Sequence, residues 1–397
     1  MTYIVVDTEN TLRNKGEESV GNFAASPFHP SNQIVYTGFK VEGANTVDIL
    51  KYSLDGFDDA FNPAVTDDII VGHNIGHDLQ YFILRQSEKA ARGMLDWLKK
   101  GRIWDTMIAE YILSGQQHKM WSLDKCSGKY GGTLKNDRIK QYWNDGVETE
   151  DIPDDELREY LEYDVENTET VFLRQLQEAV DMDMLPLIWD MMDARLATIM
   201  MEIDGMHFDR DAAHREICSL EISVMSVKGR VQQFILSFYP SDYFNEYQKL
   251  NISQKVLHPI FFGGDVEYFV KESGGVYKGG QKKGQPKLKK VSKTVTFDEF
   301  PIDITAGLTK GKNGMYSLDE KALRSINSKL IAGSKAQGFV EDLLTLRELE
   351  KDLQMLKSFD SLVWHDSKIH AQYNHAITET GRLSCANPNL QQVPREE

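Results

Sequence analysis

Apolar and polar residues follow two different spacings along this chain, and the spacing changes near residue 180. Before that point, short runs rich in β-branched residues predict strands, and apolar residues three or four positions apart predict helices between them. The predicted strands are Tyr3–Val6, Gln33–Gly38 and Ile69–Val71. The predicted helices lie at about 88–100, 104–114 and 154–180. Strands alternating with helices predict an α/β domain with a mixed sheet.

Beyond residue 187 the apolar spacing becomes almost entirely helical. The predicted helices are Leu187–Ile203, Asp209–Leu236 and Val340–Leu362. We interpret the first as a packing helix, because its methionines suit irregular gaps. The long helices have two interpretations, a scaffold beside the α/β domain or a clamp over a nucleic-acid duplex.

The least regular segment, residues 263–316, carries the strongest positive charge of the chain. Seven lysines and no acidic residue lie between Lys278 and Lys293. We predict a flexible basic loop that contacts phosphates without sequence preference, although such runs also occur as solvated loops with no partner. The lysines predicted to contact DNA are Lys282, Lys283, Lys289 and Lys290.

Length and composition narrow the class of protein. A chain of 397 residues is long enough for two or three domains with their own cores. No apolar run approaches a membrane span, so we expect a soluble, unsecreted protein with no membrane partner, in the cytoplasm, or in the host cytoplasm if its source is viral. Three scattered cysteines without a CxxC motif argue against a disulfide framework and a zinc site. The net charge of −16 does not exclude nucleic acid, because local patches and bound cations decide where phosphates bind.

Four carboxylates form the strongest chemical signal. Asp7 and Glu9 are two residues apart on the first strand and therefore share a face. Asp78 follows the third strand, and Asp164 lies one helical turn beyond Tyr160. Gathered carboxylates repel one another unless a cation lies between them, and oxygen ligands suit Mg²⁺ or Mn²⁺. Two such ions about 4 Å apart can stabilise both the attacking and the leaving oxygen in phosphodiester hydrolysis, so the pattern predicts a nuclease.

These residues resemble the three motifs of the DEDD-type 3′→5′ exonucleases with an RNase H-like fold, in the subgroup with a YxxxD motif. The matching segments are Asp7-Thr8-Glu9, Asn74-Ile75-Gly76-His77-Asp78 and Tyr160 to Asp164, with family-like context at Trp104–Leu113 and Ser122–Asp124. The resemblance implies that Asp7, Glu9 and Asp164 hold one ion, that Asp7 bridges to a second, and that Asp78 acts on the second through water. It also implies that Tyr160 orients the attacking water. Leu12 is expected to wedge against the terminal base or to be a core leucine. Asn74 is expected to shape the turn before Asp78 and to belong to the DNA-binding residues.

The segment from Thr378 to Pro394 resembles the TGRLSS…PNLQ segment of family A DNA polymerases, the bacterial polymerase I and phage replicative group. Further similar segments are Arg195–Asp209, Asn251–Leu257 and Tyr316–Lys321. The resemblance implies an exonuclease domain at 1–180, a mainly helical thumb-like region at 181–364 with a basic insertion at 265–312, and the first strands of a palm at 365–397. Arg382, Asn389 and Gln391 are expected near the primer terminus, with a purely structural role in the loop as the alternative for Arg382.

The family's polymerase carboxylates would follow the last residue of this chain. We therefore expect either the N-terminal subunit of a split polymerase, completed by a partner chain with palm and fingers, or a truncated product. The expected function is proofreading during DNA replication, with binding to single-stranded 3′ ends and primer–template duplex, and a phage or another virus is the expected source. A processivity factor docking on the basic insertion is a further partner that the sequence leaves open. The alternatives are a stand-alone 3′→5′ exoribonuclease and a non-catalytic polymerase scaffold.

Overall fold

The computed structural model describes residues 2–12, 25–52, 69–85, 88–133, 138–298, 303–311 and 314–393. The chain divides into two compact units. The first comprises Met1–Arg210 and Ser358–Glu397, and the second Asp211–Lys357. The domain boundaries at 180 and 364 stay a prediction from the sequence.

Short strands and helices alternate through the first unit, as the apolar spacing predicts. Its strands are β1 (Tyr3–Asn10), β2 (Ile34–Val41), β3 (Asp48–Lys51), β4 (Ile69–Gly72), β5 (Arg102–Asp105) and β6 (Met206–His207). Its helices are α1 (Gly76–Leu84), α2 (Glu88–Leu98), α3 (Thr106–Leu113), α4 (Leu123–Tyr130), α5 (Arg138–Asn144), α6 (Asp154–Asp181) and α7 (Leu185–Asp204).

The rest of the chain adds longer helices and one long hairpin. The elements that follow are α8 (Arg210–Leu236), α9 (Gln254–Phe262), β7 (Gly264–Val276), β8 (Pro286–Phe297), α10 (Glu320–Asn327) and α11 (Lys335–Asp360). The chain then returns to the first unit with β9 (Lys368–Ile369), β10 (Gln372–Asn374) and β11 (Ser384–Ala386). None of the helices in the part of the chain that the structure describes is long and apolar enough to cross a membrane.

A five-stranded sheet organises the first unit, in the order β3-β2-β1-β4-β5. β1 runs antiparallel to β2 and parallel to β4, and β4 runs parallel to β5, so the predicted mixed sheet is confirmed. β1 pairs with β4 only as far as Val5 opposite Val71. The second half of β1, from Asp7 onward, therefore extends past the end of its parallel neighbour.

Each unit encloses its own apolar core. The first core is formed by the sheet and the helices that cover it, with fully buried Val6, Val71, Phe82, Trp104 and Leu161 among its members. The second core gathers side chains from α8 to α11, including Val231, Ile235, Leu257, Leu323 and Val340.

Two predictions of local structure are wrong. The helix predicted at 104–114 starts at Thr106, because Trp104 and Asp105 complete β5 and the Asp105 carboxylate caps the helix by accepting from the Met107 and Ile108 amides. The flexible basic loop predicted at 278–293 is only half turn, because residues 286–293 belong to β8 and pair with β7 in an antiparallel hairpin. Val291, Val295 and Phe297 follow a period of two on β8, but Lys293 interrupts this series and lysines dominate the preceding residues, which concealed the strand.

Candidate metal centre

β1 delivers two carboxylates beyond the point where β4 ends. Asp7 and Glu9 alternate with Thr8 along the strand, and so their side chains lie on the same face. Val5 and Val6, which precede them, are completely buried and anchor the strand in the core. The position of the two carboxylates is therefore set by a rigid element and not by a loop.

Gly38 on β2 allows α6 to approach this face closely. Gly38 lies opposite Asp7 in the sheet. A Cβ atom at this position would lie 2.9 Å from Cγ of Leu161 and 3.0 Å from Cγ2 of Val165, both on α6. The absence of a side chain at Gly38 thus lets α6 lie directly over the sheet, where it carries Asp164.

Carboxylates from β1 and α6 meet to form the candidate metal centre. One ligand oxygen from each of Asp7, Glu9 and Asp164 lies within 4.8 Å of the other two. Glu9 and Asp164 are buried, with 7% and 5% of their surface exposed, and Asp7 is partly exposed. Three carboxylates this close and this poorly solvated repel one another unless a cation is present. The all-oxygen donor set fits Mg²⁺ or Mn²⁺.

Tyr160 is half-buried beside this centre. Burial raises the pKa of its phenol far above the usual value, and the charges of Asp164, Glu9 and Asp7 raise it further. The ring also meets Trp143 edge to face, with centroids 5.9 Å apart. At neutral pH the hydroxyl is therefore a fixed hydrogen-bond donor and not an ionised base.

Asp78 is held next to the centre but outside the group of three carboxylates. It is buried on α1, and its Oδ1 accepts hydrogen bonds from the Thr8 amide at 3.0 Å and from the Thr8 hydroxyl at 2.6 Å. Burial raises the pKa of Asp78 to about 7, although both hydrogen bonds from Thr8 oppose the shift. The structure therefore ties α1 to the residue between Asp7 and Glu9, and the water-mediated role of Asp78 stays a prediction.

Asp105 positions the turn before α1, a role that its family-like motif does not by itself indicate. Its buried carboxylate accepts from the Asn74 amide at 3.0 Å as well as capping α3. Asn74 has a positive φ of 57°, and its carbonyl accepts from the His77 amide at 3.1 Å, so this residue shapes the turn into α1. The sequence feature that indicates this role is Asp105 in Trp104-Asp105-Thr106 at a strand-to-helix junction, because Asp is a strong N-cap.

Leu12 lies at the wall of a cavity and is only half-buried. The cavity measures about 320 Å³ and is lined by, among others, Phe28, His77, Trp364 and His370. Leu12 is three residues beyond Glu9, a span of at most roughly 10 Å. Its position suits contact with a group bound beside the centre, and its role as a wedge stays a prediction.

The predicted DNA contacts near the C-terminus take part in a folded loop beside the β10–β11 pair. Asn389 accepts from the Gln391 amide at 3.1 Å, and the Gln391 side chain donates to the Leu383 carbonyl at 3.2 Å. Arg382 is exposed, and its carbonyl accepts from the Thr378 hydroxyl at 2.8 Å. Asn389 and Gln391 therefore support the loop, while the Arg382 side chain faces solvent.

The four lysines predicted to contact DNA lie in the second unit and are all exposed. Lys282 and Lys283 occupy the turn of the β7–β8 hairpin, and Lys289 and Lys290 lie on β8. The Lys290 ammonium lies 3.8 Å from the centroid of the Phe269 ring, a distance typical of a cation–π contact.

Comparison with known proteins relates the chain to one polymerase family. Residues 289–397 match the model of DNA polymerase family A. DNA polymerase I of Chloroflexus aurantiacus is 36% identical over 107 residues, which cover 25% of this chain and 10% of that protein. DNA polymerase I of Mycobacterium tuberculosis H37Rv is 30% identical over 133 residues, or 34% of this chain and 13% of the relative. The DNA polymerase of Bacillus phage SP01 is 23% identical over 339 residues, or 82% of this chain and 34% of the relative.

A solved structure shares the fold along the full chain. It is the POL domain of Pol1 from M. smegmatis in complex with DNA primer-template and dNTP, with a TM-score of 0.60 and 15% identity, and the match covers 100% of this chain and 53% of that one. The predicted resemblance to family A DNA polymerases is confirmed by the family model over residues 289–397 and by the polymerase relatives. The chain spans only about a tenth to a third of the curated relatives' length.

Proposed function

We propose that this chain is the 3′→5′ exonuclease portion of a family A DNA polymerase, with an RNase H-like exonuclease domain at 1–180 that removes mismatched nucleotides. The observation that carries the proposal is the group of three carboxylates from β1 and α6, next to the phenol of Tyr160. The kinship of the chain with DNA polymerases supports DNA as the substrate.

The donor set defines what the centre would hold. Asp7, Glu9 and Asp164 would hold a divalent cation, and Asp78 would add a further carboxylate beside them. When bound, Mg²⁺ or Mn²⁺ ions supply a lowered pKa for the attacking water and charge neutralisation at the leaving 3′ oxygen. The three side chains fix the direction of their oxygens because β1 and α6 are both anchored in the core.

The other side chains orient the groups that react at the centre and hold its carboxylates in position. Tyr160 keeps its proton at neutral pH, so its hydroxyl can donate a hydrogen bond to the attacking water or to a phosphate oxygen. Asp78 holds Thr8, and through it the spacing of Asp7 and Glu9. Selection of mismatched ends follows from unstacking, because a mispaired terminus costs less free energy to melt into the site than a paired one.

The proposal is tested with a 5′-labelled primer–template that has a mismatched 3′ end, in Mg²⁺. We expect stepwise shortening, faster on mismatched than on matched ends. Asp7→Ala and Asp164→Ala should each reduce the rate by about 10³-fold or more, because each removes a ligand of the centre. Asp145→Asn is the matched control, since it removes one exposed carboxylate elsewhere in the first unit and should leave the rate unchanged.

The outcomes separate the alternatives. Faster shortening of RNA than of DNA ends would favour an exoribonuclease, and no shortening above that of the Asp7→Ala variant would favour a non-catalytic scaffold. A partner chain with palm and fingers stays a prediction. It is examined by adding all four dNTPs, which we expect neither to arrest nor to reverse shortening by this chain alone.

A further inference from the structure

The β7–β8 hairpin projects beyond the core of the second unit. At its base Tyr268, Val270 and Phe297 are buried. From residue 271 through the turn to residue 290, by contrast, no residue is buried, and all but Gly274 and Tyr277 are exposed. A strand whose only role is to pack on a core buries one of its faces. The outer half of this hairpin exposes both faces.

The turn at the end of the hairpin is an ordered structure. The Tyr277 amide donates to the Gln285 carbonyl at 3.0 Å, and the Gly284 amide donates back to the Tyr277 carbonyl at 2.9 Å. The Lys283 amide donates to the Gly280 carbonyl at 3.1 Å. The lysines of this segment are thus presented by a hydrogen-bonded ribbon.

Charge is segregated along the hairpin. The acidic side chains of β7 are Asp265, Glu267 and Glu272, and they are engaged by Thr296, Ser292 and Lys293 of β8. Beyond Glu272 the ribbon has no acidic residue until Asp298. Lys293 is the one lysine of the seven that forms a salt bridge among the residues described, and the other six lie closer to the turn.

The outer lysines lie on both faces of β8 and in the turn. Strand alternation places Lys287 and Lys289 on one face of β8 and Lys290 on the other, while Lys282 and Lys283 lie in the turn. Positive charge on both faces of the ribbon suits a ligand that has negative charge on two sides. The phosphate backbones that flank a groove of duplex DNA have this arrangement, and the major groove is wide enough for a two-stranded ribbon.

We propose that the β7–β8 hairpin is a duplex-binding arm, which contacts the phosphates on both sides of a DNA groove without reading base sequence. Charge complementarity argues for this occupant, because the six outer lysines form a concentrated cationic surface on a chain of net charge −16. The proposal rests on the proposed function in taking DNA as the substrate. The arm would keep the duplex bound between successive cleavages.

The test measures the salt dependence of duplex binding in the Asp7→Ala background, so that the DNA is not degraded. A quadruple variant changes Lys282, Lys283, Lys287 and Lys289 to Gln. The matched control changes the exposed Lys100, Lys125, Lys321 and Lys351 to Gln and so alters net charge by the same amount. A labelled blunt duplex is titrated between about 50 and 300 mM KCl, where each lost phosphate contact lowers the slope of log K against log salt by about 0.9.

We expect the hairpin variant to lower that slope by about 2 to 4 and to weaken binding roughly 10- to 1,000-fold at 0.1 M salt. The control should change the slope by less than about 1. Equal slopes for the hairpin variant and the control would overturn the proposal. So would a hairpin variant that binds DNA normally but loses an acidic protein partner.

Failure of the arm and failure of the nuclease are distinguishable. With Asp7 intact, the hairpin variant should still shorten a short single-stranded oligonucleotide, but release primer–template after fewer cleavages. Salt-dependent duplex binding without any nuclease activity would contradict the proposed function and leave the arm in place. Far-UV circular dichroism checks folding, which we expect to be unchanged because all four lysines are exposed.

Discussion

At the scale of single residues, the candidate centre combines three carboxylates that repel one another with a phenol that resists ionisation. The oxygens of Asp7, Glu9 and Asp164 lie within 4.8 Å, and the same charges contribute to the raised pKa of Tyr160. Without a cation, the repulsion among these carboxylates lowers the free energy of unfolding, and a bound cation would raise it again. The centre should therefore couple metal binding to the stability of the first unit.

Thermal unfolding with and without metal tests this coupling. We expect millimolar Mg²⁺ to raise the midpoint of wild-type protein by about 3–8 °C relative to EDTA, because a ligand that binds only the folded state stabilises it. In EDTA, Asp164→Asn should melt above wild type, since one of three repelling charges is gone, and Mg²⁺ should then raise its midpoint much less. Asp145→Asn should behave as wild type, and an equal Mg²⁺ shift in all three proteins would argue against the centre.

Because the His375 side chain is buried, we predict that the free energy of unfolding falls in mild acid. Burial lowers the pKa of its imidazole to about 4, and the nearby Arg195 adds to the shift. Between pH 6.5 and 4 the unfolded state binds more protons than the folded state at this residue, so the free energy of unfolding falls as pH falls. The loss would reach about 2–3 kcal/mol at pH 4.

Urea unfolding at several pH values measures this effect. His375→Gln can still pair with the Thr198 hydroxyl but cannot titrate, so its free energy of unfolding should fall less between pH 7 and pH 5 than that of wild type. Parallel pH profiles for the two proteins would contradict the assignment. His365→Gln, which replaces an exposed histidine, is the control.

At the scale of elements, the chemistry depends on how closely α6 lies on β2. Gly38 is opposite Asp7 and beneath Leu161 and Val165, so one missing side chain sets the distance between the two elements that supply the centre. Glycine at this position has an ordinary negative φ, and therefore its role is spatial and not conformational.

Gly38→Ala tests the spacing. The added Cβ would force α6 outward, and we expect at least a 10-fold loss of exonuclease rate together with a destabilisation of about 1–3 kcal/mol. Gly128→Ala is the control, because a Cβ on that helical glycine meets nothing within 4 Å. Adding Leu161→Ala to Gly38→Ala should restore part of the activity. A fully active Gly38→Ala protein would show that the spacing does not matter.

Long periodic elements are the part of the fold that the sequence predicts well. The strands β1, β2 and β4 and the helices α6, α7, α8 and α11 follow from apolar spacing, which the tertiary structure did not override. β3 and α1 are short, and lysines hid the alternation of β8. The carboxylates of the centre could be named from their motifs, but the hydrogen bonds from Thr8 to Asp78 and the role of Gly38 depend on strand register, which spacing alone does not specify.

At the scale of the whole molecule, the first unit is assembled from two separate parts of the sequence. The Tyr111 hydroxyl donates to the Thr378 carbonyl at 2.6 Å, and the Tyr373 amide donates to the Glu202 carboxylate at 2.8 Å. The Phe208 amide donates to the Ser367 carbonyl at 3.0 Å, near the point where the two parts join. The segment 358–393 is therefore part of the same folded body as the sheet, while 211–357 has its own core.

This organisation predicts that the first unit, which holds the proposed nuclease site, does not need the second unit in order to fold. Replacing residues 211–357 with a short Gly/Ser linker is feasible, because Nε of Arg210 lies 3.4 Å from Oδ1 of Asp360. The shortened protein should unfold cooperatively and shorten single-stranded oligonucleotides at a rate within about threefold of the full chain, while losing salt-sensitive duplex binding with the hairpin. A chain ending at residue 357 should instead be strongly destabilised, because the buried side chains of Glu202 and Tyr111 lose hydrogen-bond partners. If the shortened protein fails to fold while the chain ending at 357 retains activity, the first unit is not the independent body that its contacts indicate.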